Sequence, residues 1–237
     1  MVRAAPARRV RLAVPERGAR RRERVHGQRD ALAVEVAMPT GSSWDGEAAN
    51  WVEWARTPEH DVFWYFAPFF FAEILPPVQG LTLEIGCGEG RVARRLAASG
   101  HNVVALDSSP TLVRFARDAD AQSAYLCTDG AALPFGDETF QTVVAYNSLQ
   151  TTAAVEDMAR AVREAGRVLK PSGHFCLCVA HPMTDVDRAT EPSAEGDLTI
   201  SGSYFEQQCV NETVTSGGLK MTFHGWTHTL EDYARAL

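Results

Sequence analysis

Residues Leu81-Thr82-Leu83-Glu84-Ile85 form a short apolar run ending next to an acid, after which glycine occupies every second position, at Gly86, Gly88 and Gly90. The following segment, Val92-Ala93-Arg94-Arg95-Leu96-Ala97-Ala98, has the spacing of an amphipathic helix. A strand that breaks into a glycine loop and then opens a helix leaves few choices of fold. The glycines let the backbone turn sharply and approach a ligand, and the helix start offers unpaired N–H groups to it. The loop is not the dinucleotide pattern G-x-G-x-x-G, because Arg91 stands where the third glycine would fall. Its pattern is E-x-G-x-G-x-G.

The residues downstream repeat the alternation of strand and helix. Asn102-Val103-Val104-Ala105-Leu106 reads as a second strand ending at Asp107, 23 positions after Glu84, which leaves room for one crossover helix. An acid at that point can accept the two hydroxyls of an adenosine ribose. Ser108-Ser109-Pro110 opens the next helix, with Ser109 as N-cap and Pro110 in the first turn. Ala124-Tyr125-Leu126-Cys127 is a third strand leading to Thr128-Asp129-Gly130-Ala131. Leu133-Pro134-Phe135 and a fourth strand over Thr142–Tyr146 follow, then Asn147-Ser148-Leu149-Gln150. A helix over Met158–Leu169 has Val162 and Val168 on its inner face and Arg160, Arg163 and Arg167 outside. A fifth strand runs from His174 to Ala180 and ends in His181-Pro182.

From about Gly80 to Pro182 this order of motifs resembles the class I S-adenosylmethionine-dependent methyltransferases, of the methyltransferase-11-like, small-molecule type. The resemblance rests on the glycine loop, the acid after the second strand, the Asp129 and Leu133-Pro134-Phe135 turns, and Arg167-Val168-Leu169-Lys170-Pro171-Ser172-Gly173 before the fifth strand. Two positions depart from it: Gln141 where relatives usually carry Asp, and Ser172 in place of a glycine. The resemblance implies an α/β, Rossmann-like, doubly wound, mainly parallel sheet of order 3-2-1-4-5 with helices on both faces. It also implies S-adenosyl-L-methionine as cofactor. Gly86, Cys87, Gly88 and Gly90 would approach its methionine part, and Asp107 with Ser108 the ribose. Asp129, Gly130 and Ala131 would take the adenine. Glu84 would hold the loop's amides or the cofactor ammonium, and Asn147 would touch cofactor or substrate. Relatives continue past the last helix with two edge strands that no segment here supplies, so a sheet lacking its C-terminal edge strands, in a truncated chain, is expected.

Composition narrows the partners. The net charge of −7 is uneven: residues 1–30 carry ten arginines against Glu16, Glu23 and Asp30, leaving −14 on the rest. An acidic body disfavours nucleic acid, whose phosphates need a basic face, and favours a small-molecule acceptor. Cys87, Cys127, Cys176, Cys178 and Cys209 lack metal-ligand spacing, so no metal is expected and a reduced, cytoplasmic protein is the default. The most apolar run, Val62–Phe71, is ten residues long and contains Pro68, too short to span a membrane.

Four segments are expected: a disordered Arg-rich leader over 1–37, a helical cap over 38–78, the Rossmann-like core over 79–182, and a substrate-side hairpin with the start of a helix over 183–237. In the cap, Trp51, Arg56, Phe63 and Tyr65 either pack on the sheet or touch ligand. His181, at the end of the fifth strand, is the candidate general base, its unperturbed pKa suiting proton removal near neutrality. His224, His228 and Tyr204 are further substrate-side candidates. Two other functions stay open on the sequence: an NAD-dependent oxidoreductase, and a degenerate relative that acts as a binding module.

Overall fold

The computed structural model describes residues 40–182 and 203–237. Five parallel strands form one sheet in the order β3-β2-β1-β4-β5: β1 (Leu81–Ile85), β2 (Asn102–Asp107), β3 (Ala124–Cys127), β4 (Phe140–Tyr146) and β5 (Leu169–Cys178). The expected fold and strand order are therefore observed. Among the described residues no sixth strand joins β5, which has β4 as its one neighbour. Both sheet faces are covered, and this is why the strands read as apolar runs instead of alternating with polar residues. One face packs Phe63, Ala67, Val92, Leu96, Val113 and Ala116; the other packs Leu83, Ile85 and Val143 against Leu133, Phe140, Ala165 and Val168.

Helices α1 (Thr40–Gly46), α2 (Ala48–Arg56) and α3 (Phe63–Phe69) precede the sheet, and a π-helical turn over Phe70–Ile74 runs on to Pro76-Pro77. The expected helical cap therefore opens with two short helices, separated at Glu47. Then come α4 (Arg91–Ala98), α5 (Pro110–Ala119) and α6 (Val155–Val168). Ser109 caps α5 as expected, its Oγ accepting from Leu112 N at 3.1 Å. β5 starts five residues earlier than the sequence suggests, because Phe140 already pairs with Leu169 before a bulge carries the register to Thr142 opposite His174. Gln141 fills the departure noted above: its Nε2 donates to Ser172 O at 2.9 Å and holds that bulge.

The C-terminal part is an antiparallel hairpin, β6 (Cys209–Ser216) and β7 (Leu219–Trp226), joined at Gly217-Gly218, followed by α7 (Leu230–Ala236). Positions 183–202 of the segment expected to hold this hairpin lie outside the described residues, as does the leader over 1–37. Thr229 and Asp232 form a reciprocal capping box at the start of α7. His228, just before it, is 3 % exposed and donates from Nε2 to Thr152 O at 2.9 Å. Burial lowers its pKa from 6.5. The unfolded chain therefore binds the proton more readily, so stability is full above 6.5 and declines as pH falls below that value. Acidification from pH 7.5 to 5.5 is expected to lower the melting temperature of the wild type more than that of His228→Gln. The difference amounts to no more than about 1.4 kcal/mol per pH unit; equal shifts in thermal melts of the two proteins would refute it.

Candidate functional site

The loop after β1 is anchored on both sides. Gly86 N and Cys87 N donate to Leu106 O at 2.8 and 2.9 Å, tying the loop to β2. On the other side Ser148 Oγ donates to Ile85 O at 2.7 Å. Gly86 has φ +75°, and a Cβ there would lie 2.3 Å from Ser148 Cβ, so glycine is demanded by both conformation and space. Asp107 then clamps the loop's far end. Its Oδ2 accepts from Gly88 N at 2.8 Å, and its Oδ1 accepts from Ser109 N at 2.9 Å. Burial raises the Asp107 pKa while these backbone bonds pull it back.

Of the two roles the sequence offers Glu84, holding the loop's amides is not the one observed. Strand alternation turns it to the face opposite Leu83 and Ile85, where it is 1 % exposed. Its Oε2 has no hydrogen-bond partner, so it does not hold the loop's amides; Asp107 does that. The group is pushed up to about 8, by burial first and then by Asp107 and Glu89. Cys87, 5 % exposed beside it, has its thiol raised by burial.

The remaining candidates from the core line up along the carboxyl ends of the strands, the edge where open α/β sheets bind ligands. Ser108 and Asp129 are exposed, and Asp129 Oδ1 accepts from Ala131 N at 2.9 Å, shaping the turn through Gly130. Asn147 follows β4 in the left-handed region, φ +50°, with its N–H donated to Cys178 O at 2.7 Å and its Oδ1 buried without a partner. Tyr146 Oη and Gln150 Oε1 beside it are also buried and unpartnered. His181 lies three residues beyond the end of β5 and is exposed.

Above the loop lies α2. Trp51 Nε1 is 3.1 Å from where a Gly88 Cβ would be, and the ring meets Trp44 and Phe223 edge-on. Two charged links fasten this layer. Arg56 Nε donates to Glu89 Oε2 at 2.7 Å, and Arg94 reaches both Glu89 oxygens at 2.7 and 2.9 Å. Arg91 pairs with Asp61, donates to Ala55 O at 3.0 Å, and stacks over Phe63 at 4.2 Å and Trp51 at 5.2 Å. Of the four cap candidates, Trp51, Arg56 and Phe63 make these contacts, and Tyr65 is exposed.

The three substrate-side candidates of the C-terminal part have structural partners instead. His228 is bound to Thr152 O, and Tyr204 Oη accepts from Leu230 N at 2.7 Å at the start of α7. His224 packs edge-on against Trp44 at 6.2 Å, on the strand face opposite Phe223. The sequence reading missed Ser148, Asp61 and Glu89. Ser148 had a signal, being small and polar directly after β4. The pairs Asp61–Arg91 and Glu89–Arg56 each join residues about thirty positions apart, beyond any local pattern, although the second partner of Glu89, Arg94, is only five residues on.

The residues 83–177 match the family model described as a methyltransferase domain. A malonyl-[acyl-carrier protein] O-methyltransferase of Erwinia pyrifoliae is 33 % identical over 153 residues, covering 62 % of this chain and 55 % of that protein. A ubiquinone biosynthesis O-methyltransferase of Methylobacterium sp. is 36 % identical over 107 residues, covering 42 % and 41 %. The chain thus spans about half the length of the curated relatives it matches. Among solved structures, an S-adenosylmethionine-dependent methyltransferase from Mesorhizobium loti shares 26 % identity with a TM-score of 0.54, over 75 % of this chain and 79 % of that one. The CcbJ methyltransferase of Streptomyces caelestis, at 21 % identity and a TM-score of 0.63 over 84 % and 86 %, shares the fold. The fold and loop define a Rossmann-like nucleoside-binding core. Over residues 83–177 that core matches the methyltransferase-domain family model, and it resembles the S-adenosylmethionine-dependent methyltransferases.

Proposed function

We propose that this chain transfers a methyl group from S-adenosylmethionine to a small-molecule acceptor by in-line displacement. The observation that carries this reading is the clamped loop: left-handed Gly86, Gly88 and Gly90 between Ser148 and Asp107, with unpartnered oxygens on Glu84 and Asn147 at its rim. Those groups fit a nucleoside bearing positive charge: glycines allow close backbone approach, and buried oxygens call for donors or a cation. When bound, the cofactor supplies a methyl group already activated on a sulfonium. The protein's part is then to orient the acceptor and exclude water.

In this reading Gly86, Cys87, Gly88 and Gly90 border the methionine part, Asp107 and Ser108 the ribose, and Asp129, Gly130 and Ala131 the adenine. Asn147, Tyr146 and Gln150 face the reacting end, and residues 40–78 with the β6–β7 hairpin close over them. His181 is the residue assigned to proton removal if the acceptor is a hydroxyl. Both named relatives are O-methyltransferases, which favours an oxygen acceptor. No helix among the described residues is long and apolar enough to cross a membrane; together with five free cysteines, this supports a cytoplasmic site of action.

Calorimetric titration of the purified chain with S-adenosylmethionine, and separately with NAD, tests the reading. Micromolar binding of the first alone is expected. Asp107→Ala leaves Gly88 N–H and Ser109 N–H without their acceptor, at about 1–3 kcal/mol each, and is expected to abolish binding. NAD binding, or no binding of either by folded protein, would overturn the proposal.

A further inference from the structure

We infer that Glu84 is a proton-exchanging counter-ion: its carboxyl is held as the neutral acid in the free protein and releases its proton to solvent when the cationic cofactor binds. The inference rests on the S-adenosylmethionine reading above and adds to it the means by which the site recognises positive charge.

Negative charge gathers beneath the glycine loop. Three acids meet there: Glu84 from β1, Asp107 from β2 and Glu89 from the loop. Two arginines on α4 also face Glu84, and neither is directed at it. Arg94 is bound bidentately to Glu89, which Arg56 contacts as well, and Arg91 is held by Asp61 and Ala55 O. Asp107 has two backbone N–H donors for its negative charge. The Cys87 thiol and the Tyr125 hydroxyl of β3, the other titratable groups facing Glu84, are both shifted upward and so stay neutral. Glu84 is left as a carboxyl 1 % exposed, with Oε2 unpartnered and two like charges for neighbours.

A buried carboxylate without a cation or a donor takes up a proton instead. Hence the pKa of about 8 fits the geometry, and Asp107, with its amides, is the ionised member of the two. S-adenosylmethionine carries a sulfonium and an ammonium against one carboxylate. Bringing a positive charge to this loop reverses the balance: the O–H bond of Glu84 breaks, the proton passes to buffer, and the electron pair left on oxygen faces the ligand cation.

Titration of the whole chain with S-adenosylmethionine at pH 6.5, in buffers of different ionisation enthalpy, counts the protons. An α-amino group titrates near 7.7–8.0, so at pH 6.5 the cofactor's ammonium is already formed and any release comes from the protein. About one proton is expected to leave per cofactor bound, and affinity is expected to rise about tenfold per pH unit between 6 and 7, levelling near 8. Glu84→Gln, isosteric with the neutral acid, is expected to bind about tenfold or more weakly than the wild type at pH 6, release no proton, and gain nothing by pH 8, so that the gap widens as pH rises. Binding without proton release in the wild type, or release that survives in Glu84→Gln, overturns the inference and leaves the cofactor assignment standing. Failure of the folded wild type to bind S-adenosylmethionine overturns the assignment itself. Should Glu84→Gln fail to fold, the wild-type proton count decides alone.

Discussion

Gly86→Ala is expected to weaken S-adenosylmethionine binding about 100-fold, some 2.7 kcal/mol, and to destabilise the fold as well. Two effects combine. An L-residue at φ +75° is strained by about 1–2 kcal/mol. The new methyl group would also sit 2.3 Å from Ser148 Cβ, so either the loop or the start of the turn after β4 must move. Such overpacking costs about 1–3 kcal/mol, and the Ser148 Oγ to Ile85 O bond is lost with it. A total of roughly 3 kcal/mol in a chain of this size lowers the melting temperature by about 6–12 °C. Adding Ser148→Gly removes the overlap but not the strain, so the double variant should recover part of the stability. Calorimetry and thermal melts on the wild type and the two variants decide the matter. If Gly86→Ala binds and melts like wild type, the loop is not the close-approach surface argued here.

The same loop shows why the core could be read from sequence. Its glycines, the apolar run before them and the 3.6 pattern after them, and the Ser109-Pro110 helix start are all local signals, carried within a few residues of the feature they specify. Asp107 is also legible in this way, as the acid closing β2. Its bonds to Gly88 N and Ser109 N are not, because they follow from the strand order that sets β2 against β1. Glu84 shows the limit most clearly. The sequence places it at the right end of the right strand, yet whether it holds the loop's amides depends on which face it points to and on what Asp107 already does. His228 and Tyr204 likewise look like chemistry until Thr152 O and Leu230 N are found beside them.

The cap depends on charges that no local pattern links, and its central residue is Glu89. Glu89→Ala is expected to lower stability by about 1.5–3 kcal/mol, because it removes the charged acceptor of both Arg94 and Arg56. Glu89 is 1 % exposed, and its loss leaves Arg94, 29 % exposed, with the Glu89 backbone carbonyl in place of both carboxylate oxygens. Arg56, at 43 %, can turn to water instead. For that reason Arg56→Ala should lose only about 0.2–1 kcal/mol, in the range of surface pairs, although it removes a bond to the same carboxylate. Glu89→Gln keeps one oxygen acceptor and should fall between the two. Urea melts followed by tryptophan emission measure the ordering directly, since Trp51 and Trp54 on α2 pack against Phe223 of β7 and lose that environment when the cap loosens. A Glu89→Ala protein no less stable than Arg56→Ala would mean that α2 is held by its aromatic contacts alone. The ordering Glu89→Ala, Glu89→Gln, Arg56→Ala, from least to most stable, follows from burial: the buried carboxylate serves two arginines, so its loss removes both charged links, whereas Arg56→Ala removes only the more exposed one.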